Sequence, residues 1–189
     1  MDFVLVIVDM IKDNVDLKRG AALDVEAGKI IPKINELARE FRARSCPVIF
    51  ACDSFMADDF IFGGRMKPHA IRGTGGDLPI KELDVEPSDV VLAKRRMSAF
   101  HKTDLDQTLR TWKITTVVVC GIMTNVCVLL TALDALQNDF NTVIVTDASA
   151  CYKAELHEAT LKVYENLPLF PLFRLMPTDE VIAEMSAQG

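Results

Sequence analysis

At 189 residues, half of them apolar or aromatic, the chain has the material for one domain with a sizeable core. A formal net charge of −6 and a pI near 5.1 leave no positive excess to neutralise a phosphate backbone or to dock on an anionic membrane, so nucleic acid and membranes are set aside as partners. The five cysteines, at positions 46, 52, 120, 127 and 151, are odd in number and lack zinc-type pair spacing, which points to free thiols in a reducing cytoplasm.

In chain order, the opening from Met1 to Asp9 is too short for a membrane span and lacks the basic start and cleavage site of a signal peptide, so no targeting segment is read there. Its run Phe3 to Val8 is wholly apolar. So are Pro47 to Cys52, Val90 to Ala93, Thr116 to Cys120 and Thr142 to Val145, apart from an opening threonine in two of them, with a weaker run at Leu172 to Leu175. Short runs without polar alternation suit parallel strands covered on both faces.

Helical spacing fills the gaps: Ile31, Ile34, Leu37, Ala38 and Phe41; then Leu105 and Leu109; then Val126, Leu129, Leu130, Leu133 and Leu136. Two more helices are read over Glu155 to Asn166 and Thr178 to Ser186. Pro32 falls early in the first pattern, so anything helical upstream of it is expected to be a separate turn or kinked. Alternating strands and helices predict an α/β fold. The expected form is an open, doubly wound, mostly parallel six-stranded sheet with helices on both faces, a Rossmann-like three-layer domain over residues 1–189.

The stretch from about 54 to 80 has no sustained period and contains five glycines amid mixed charge. It reads as a long loop, a lid or a partner contact, with room for a short helix. Arg65, Lys67 and Arg72 within it offer positive charge to a substrate carboxylate or simply form a solvated face.

Polar residues follow the apolar runs: Asp9, Asp53, Lys94, Gly121 and Asp147 would share one edge of the sheet. Open α/β sheets bind ligands at that carboxyl edge, near the reversal of strand order. After the fourth run, Gly121-Ile122-Met123-Thr124-Asn125-Val126-Cys127 leads into an apolar helix, with Thr124 or Asn125 as N-cap. A thiol in the first helical turn faces unpaired N–H groups, which predicts a lowered pKa for Cys127 and an oxyanion hole in the same turn. Taken alone, Cys127 favours the reading of a small buried hydrophobe. Histidine partners are few: His69 lies in the loop, His101 precedes a helix and His157 rides on a helix surface. Asp9 and Lys94 are better placed, one to take and return a proton, the other to hold nearby anions charged.

Three blocks in this order resemble the isochorismatase-like cysteine hydrolases, which include nicotinamidases, N-carbamoylsarcosine amidase and ureidoacrylate-type amidases. They are Leu5-Val6-Ile7-Val8-Asp9-Met10, Lys94-Arg95-Arg96-Met97-Ser98-Ala99-Phe100, and Gly121 to Val128 followed by Thr131-Ala132-Leu133-Asp134-Ala135. The resemblance implies a catalytic triad of Asp9, Lys94 and Cys127 and a cis peptide between Ile122 and Met123. It also implies an oxyanion hole from the backbone of Met123 or Thr124 and Cys127. Family members assemble as dimers or tetramers, so a homo-oligomer is expected.

The chain departs from the nicotinamidases, whose Asp-x-His pair and further histidine bind a divalent metal. Here the pair reads Asp53-Ser54-Phe55, leaving only Asp53 and His69 as ligands. Two ligands fall short of the three or four that hold a metal firmly, so no cofactor is expected. Asp53 is left to bind substrate, to orient Lys94 or to cap its strand. Phe55, Phe62, Arg65, His69 and Phe100 complete the candidate substrate contacts. The expected reaction is hydrolysis of a small amide, ureide or N-carbamoyl substrate through a thioester. The alternatives are an isochorismatase-type hydrolysis of a non-amide bond, a metal-dependent nicotinamidase, or a non-catalytic or redox-sensing member.

Overall fold

A computed structural model describes residues 2–187. The elements in order are β1 (Phe3–Val8), α1 (Ala22–Ala43), β2 (Val48–Asp53), β3 (Val90–Lys94), α2 (Leu105–Thr111), β4 (Thr116–Ile122), α3 (Leu129–Gln137), β5 (Asn141–Ala150), α4 (Ala154–Tyr164), β6 (Phe173–Met176) and α5 (Thr178–Ala187). All five strand pairings are parallel, in the order β3-β2-β1-β4-β5-β6. This is the six-stranded, doubly wound α/β sheet that the apolar runs predict.

The burial of β1 explains why its sequence carries no alternation. Phe3, Leu5 and Ile7 pack with residues of α1 and α5 on one face, while Val4, Val6 and Val8 pack with α2 and α3 on the other. Every residue of the strand is buried, so each position is apolar. Burial of each large side chain here contributes about 1.5–3 kcal/mol.

The separate turn expected upstream of Pro32 is not found: α1 runs without interruption from ten residues before it. The missing proline N–H removes one helical bond, at a cost of about 3 kcal/mol. Buried Ala27, Ile30 and Ile31 offset it, and the helix start is locked by Asp24. That carboxylate accepts from the N–H groups of Ala21 and Asp16 and pairs with Arg19, whose hydrogen bonds draw the Asp24 pKa down to about 2.

The segment between β2 and β3 contains no α-helix, only a 3-10 turn at Phe60–Gly63, and stays irregular to residue 89 rather than to about 80. It folds back on the residues after β1. Asp13 accepts from Ala70 N–H at 2.7 Å, Lys12 N–H donates to Leu78 C=O at 3.0 Å, and Ile80 N–H donates to Met10 C=O at 3.0 Å. β5 is longer than its apolar run because the register slips between Val119 and Gly121 of β4, adding Thr146 to Ala150. Asp147, on this extension, accepts from the backbone and hydroxyl of Thr178 at 2.8 Å and so caps α5 rather than facing the site. All five cysteines are free and buried. Among the described residues, no helix is long and apolar enough to cross a membrane.

Candidate active site

From β1 the chain winds outward through β2 to β3, then crosses back to lay β4 on the other side of β1. Strand order therefore reverses between β1 and β4, where open α/β sheets leave a crevice at the carboxyl ends. Asp9 leaves β1 at that point and Cys127 follows β4. Asp53 and Lys94 are register partners at the ends of β2 and β3, so their side chains emerge together.

These four residues converge. The side-chain ligand atoms of Asp9, Asp53 and Cys127 all lie within 4.8 Å of one another. Lys94 Nζ donates to Asp9 Oδ2 at 2.8 Å, to Asp53 Oδ1 at 2.5 Å and to the Arg96 carbonyl at 3.2 Å, which satisfies its three N–H bonds. Asp9 Oδ1 accepts from the Asp53 N–H at 2.9 Å, so the backbone of β2 fixes this carboxylate from the other side. Asp9 itself has φ +55, a left-handed turn, with its own N–H bonded to Ala51 C=O at 2.9 Å.

The group is almost sealed: Lys94 is 0% exposed, Asp9 2%, Asp53 6% and Cys127 8%. Burial works against the Lys94 ammonium, but Asp9, Cys127 and Asp53 outweigh it and hold the pKa above the usual lysine value. Burial and then the neighbouring Asp9 charge also push the Asp53 pKa up, to about 7, against the pull of Lys94. The cluster therefore keeps a firm cation and one carboxyl that titrates near neutrality.

The Cys127 thiol is also pushed up, first by burial and then by Asp9 and Asp53, with Lys94 offsetting only part. This corrects the lowered pKa expected from a helix start. Cys127 sits in a π-helical turn, Thr124–Val128, ahead of α3. The N–H groups of Val126 and Val128 are already spent on the Met123 carbonyl at 3.0 and 3.2 Å. Neither Thr124 nor Asn125 caps the turn: Thr124 Oγ1 is bonded to His157 Nδ1 at 2.8 Å, and Asn125 Oδ1 accepts from Cys151 Sγ at 3.1 Å. His157 is thus a half-buried support of the turn, not a surface residue, and no spacing in the sequence singles it out.

Gly121 enters the turn at φ +109, and a Cβ there would fall 2.3 Å from Val8 O. Only glycine lets β4 lie this close to the end of β1. The Ile122–Met123 peptide that follows is cis, as the resemblance implies.

The remaining candidates divide. Phe55, Phe62 and His69 form one aromatic cluster, with ring centroids 5.3, 5.6 and 6.1 Å apart. Phe55 is fully buried within it, and His69 Nδ1 is 2.9 Å from the Lys67 carbonyl. Arg65 is exposed, and Phe100 packs on Phe140 at 6.0 Å. Among the described residues, Asp9, Asp53 and Cys127 form the metal-like grouping, and His69 is not in it. Lys94 already bridges both of its carboxylates. The Asp-x-His set of a nicotinamidase does not fit: Phe55 offers no ligand atom, and Ser54 Oγ donates to Asp77 at 3.0 Å.

The model of the Isochorismatase domain matches residues 3–170. An isochorismatase-like hydrolase from Alkaliphilus metalliredigens superposes with a TM-score of 0.86 at 31% identity, covering 98% of this chain and 100% of that one. N-carbamoylsarcosine amidase from Thermoplasma acidophilum superposes with a TM-score of 0.77 at 30% identity, covering 95% and 98%. A protein named as a probable inactive nicotinamidase of Arabidopsis thaliana is 29% identical over 174 residues, 86% of this chain and 88% of its own. With a family model spanning most of its length and the sheet, turn and cis peptide in place, the chain belongs to the isochorismatase family.

Proposed function

We propose that this protein is a cysteine hydrolase that cleaves a small amide, ureide or N-carbamoyl substrate through a thioester on Cys127. The observation that carries the reading is the Asp9–Lys94–Cys127 convergence at the reversal of strand order, buried and with every ammonium N–H engaged. Similarity to an N-carbamoylsarcosine amidase adds the C–N bond class.

In the resting site the proton stays on sulfur and the Asp9 carboxylate is its acceptor, since burial disfavours a free thiolate. As sulfur attacks the substrate carbonyl, the C–S bond forms, the thiol proton passes to Asp9 and charge develops on the carbonyl oxygen. The N–H groups of Met123 or Thr124 and of Cys127 receive that oxyanion. Collapse breaks the C–N bond, and Asp9 returns its proton to the departing ammonia or amine. Water then gives a proton to Asp9 and attacks the thioester; the acid leaves and sulfur recovers its proton. Lys94 holds Asp9 in place throughout. In this reading Lys94 is the resident cation and no metal is required. The expected partner is a small molecule, and the working form is a homodimer or homotetramer.

The test measures ammonia release from a panel of amides, ureides and N-carbamoyl amino acids, with mass spectrometry for an acyl adduct on Cys127. Cys127→Ala is expected to abolish turnover with an unchanged melting curve; normal turnover by that variant would sink the scheme. The Arabidopsis relative favours one second reading, a reactive thiol without turnover. Its signature is stoichiometric alkylation of Cys127 with no ammonia from any panel member.

A further inference from the structure

The chain carries six more acidic than basic groups, yet one recess is lined mostly by basic residues. A cavity of about 340 Å³ lies at the outer end of edge strand β3, walled by Arg72, Arg95, Arg96, His101, Lys102 and Thr103, with Ala93 of the strand itself. That volume is within the range of small-molecule sites. No member of the Asp9–Lys94–Cys127 group lines it.

Three of its guanidinium groups are anchored from behind. Arg95 reaches Asp59 Oδ2 at 2.9 and 2.7 Å through two nitrogens, and Arg96 donates to Asp59 Oδ1 at 3.0 Å; the Asp59 side chain is 0% exposed. Arg72 Nε donates to Ser54 Oγ at 3.1 Å and its Nη2 to Ser54 C=O at 3.4 Å. Ser54 Oγ in turn donates to buried Asp77 at 3.0 Å. Four permanent cations are therefore set against two carboxylates, both withdrawn behind the wall. Guanidinium groups held in this way lose little freedom on meeting a ligand and keep donors free in a planar fork.

We propose that this recess binds a small oxyanion, a carboxylate or phosphate group of a soluble metabolite, at a site separate from the thiol. Arginine forks match both oxyanions bidentately, and Lys102 adds a mobile point charge. The proposal does not depend on turnover at Cys127.

The experiment is calorimetric titration of the full chain with inorganic phosphate and, separately, malonate at low salt. Saturable binding of either probe is expected, weakened at least tenfold by Arg72→Gln and by Lys102→Gln and unchanged by Cys127→Ala. Lys102 makes no side-chain hydrogen bond or ion pair among the described residues, so its variant tests the recess without breaking a bond of the fold. Preference for phosphate identifies a phosphorylated ligand; preference for malonate identifies a carboxylate. The proposal is overturned if neither probe saturates or if binding survives both recess substitutions. Loss of binding in Cys127→Ala overturns it too, since it would place the anion at the thiol.

Discussion

Lys94 reaches past the end of β2 to hold Asp9, its Nζ 2.8 Å from Asp9 Oδ2, although β1 and β3 are not neighbours in the sheet. Asp53, on the strand between them, takes the same ammonium at 2.5 Å. A buried cation shared by two acids leaves both stranded when it is removed. Lys94→Met is expected to destabilise the fold by about 3–5 kcal/mol, the usual cost of breaking a buried pair from one side. Urea unfolding measures it. Adding Asp9→Asn and Asp53→Asn to the same variant should recover part of the loss. A Lys94→Met protein as stable as the parent would mean that the ammonium is not what balances these carboxylates.

How much of this was legible from residues alone follows from what each feature depends on. The strands were readable because a doubly covered strand such as Phe3–Val8 has no solvent face on which polar residues can appear. Asp9 and Lys94 were readable as polar groups placed at strand ends. Asp53 was readable only as one of three roles, orienting Lys94 among them, because its pairing with Lys94 depends on the register of β2 against β3. The Cys127 pKa was misjudged because the sequence gives the nearby turn but not the burial or the distance to two carboxylates. The continuous α1 was missed because Pro32 weighs locally, whereas the Asp24 lock and the buried stripe lie upstream. The basic recess sets Arg72, from the segment between β2 and β3, beside the stretch from Arg95 to Thr103, a pairing that only the fold makes.

Asp53 carries a pH signature. Its pKa in the folded chain is about 7, above the ordinary carboxylate range, so the folded state retains a proton that the unfolded chain has lost. Where the folded state binds more protons, stability falls as pH rises, here between about pH 4 and 7. Asp53→Asn removes that titration while leaving a carbonyl oxygen to face Lys94. Urea midpoints at pH 4.5 and 7.5 should therefore shift in favour of the variant as pH rises. Parallel curves for the two proteins would contradict the raised value.

The thiol offers a kinetic test of the same electrostatics. With Cys127 held above the ordinary thiol range, first by burial and then by Asp9, its alkylation by iodoacetamide at pH 7 should be slower than that of free cysteine. Asp9→Asn removes the negative charge that opposes thiolate formation. That variant is expected to alkylate faster at Cys127, resolved by peptide mass mapping, while losing turnover. A slower reaction in Asp9→Asn would indicate that the carboxylate promotes the thiolate in the resting site instead of opposing it.

Gly121 links the fold to the chemistry most directly. It sits at φ +109 where β4 lies against the end of β1, and a Cβ there would fall 2.3 Å from Val8 O and 2.8 Å from Val8 N. Both obstacles are backbone of the central strand, so no side chain can swing away to relieve the clash. The left-handed backbone adds its own penalty for any residue with a Cβ. Gly121→Ala is expected to cost about 3 kcal/mol or more, in the range of the most damaging single substitutions. Because Val8 precedes Asp9 and Gly121 opens the turn to Cys127, relief can come only by parting β1 from β4, which moves Cys127 away from Asp9. Any folded fraction of Gly121→Ala should therefore turn over more slowly per folded molecule, measured by active-site titration beside thermal melting. Full activity in the folded fraction would show that the spacing of β1 and β4 is not what aligns Asp9 with Cys127.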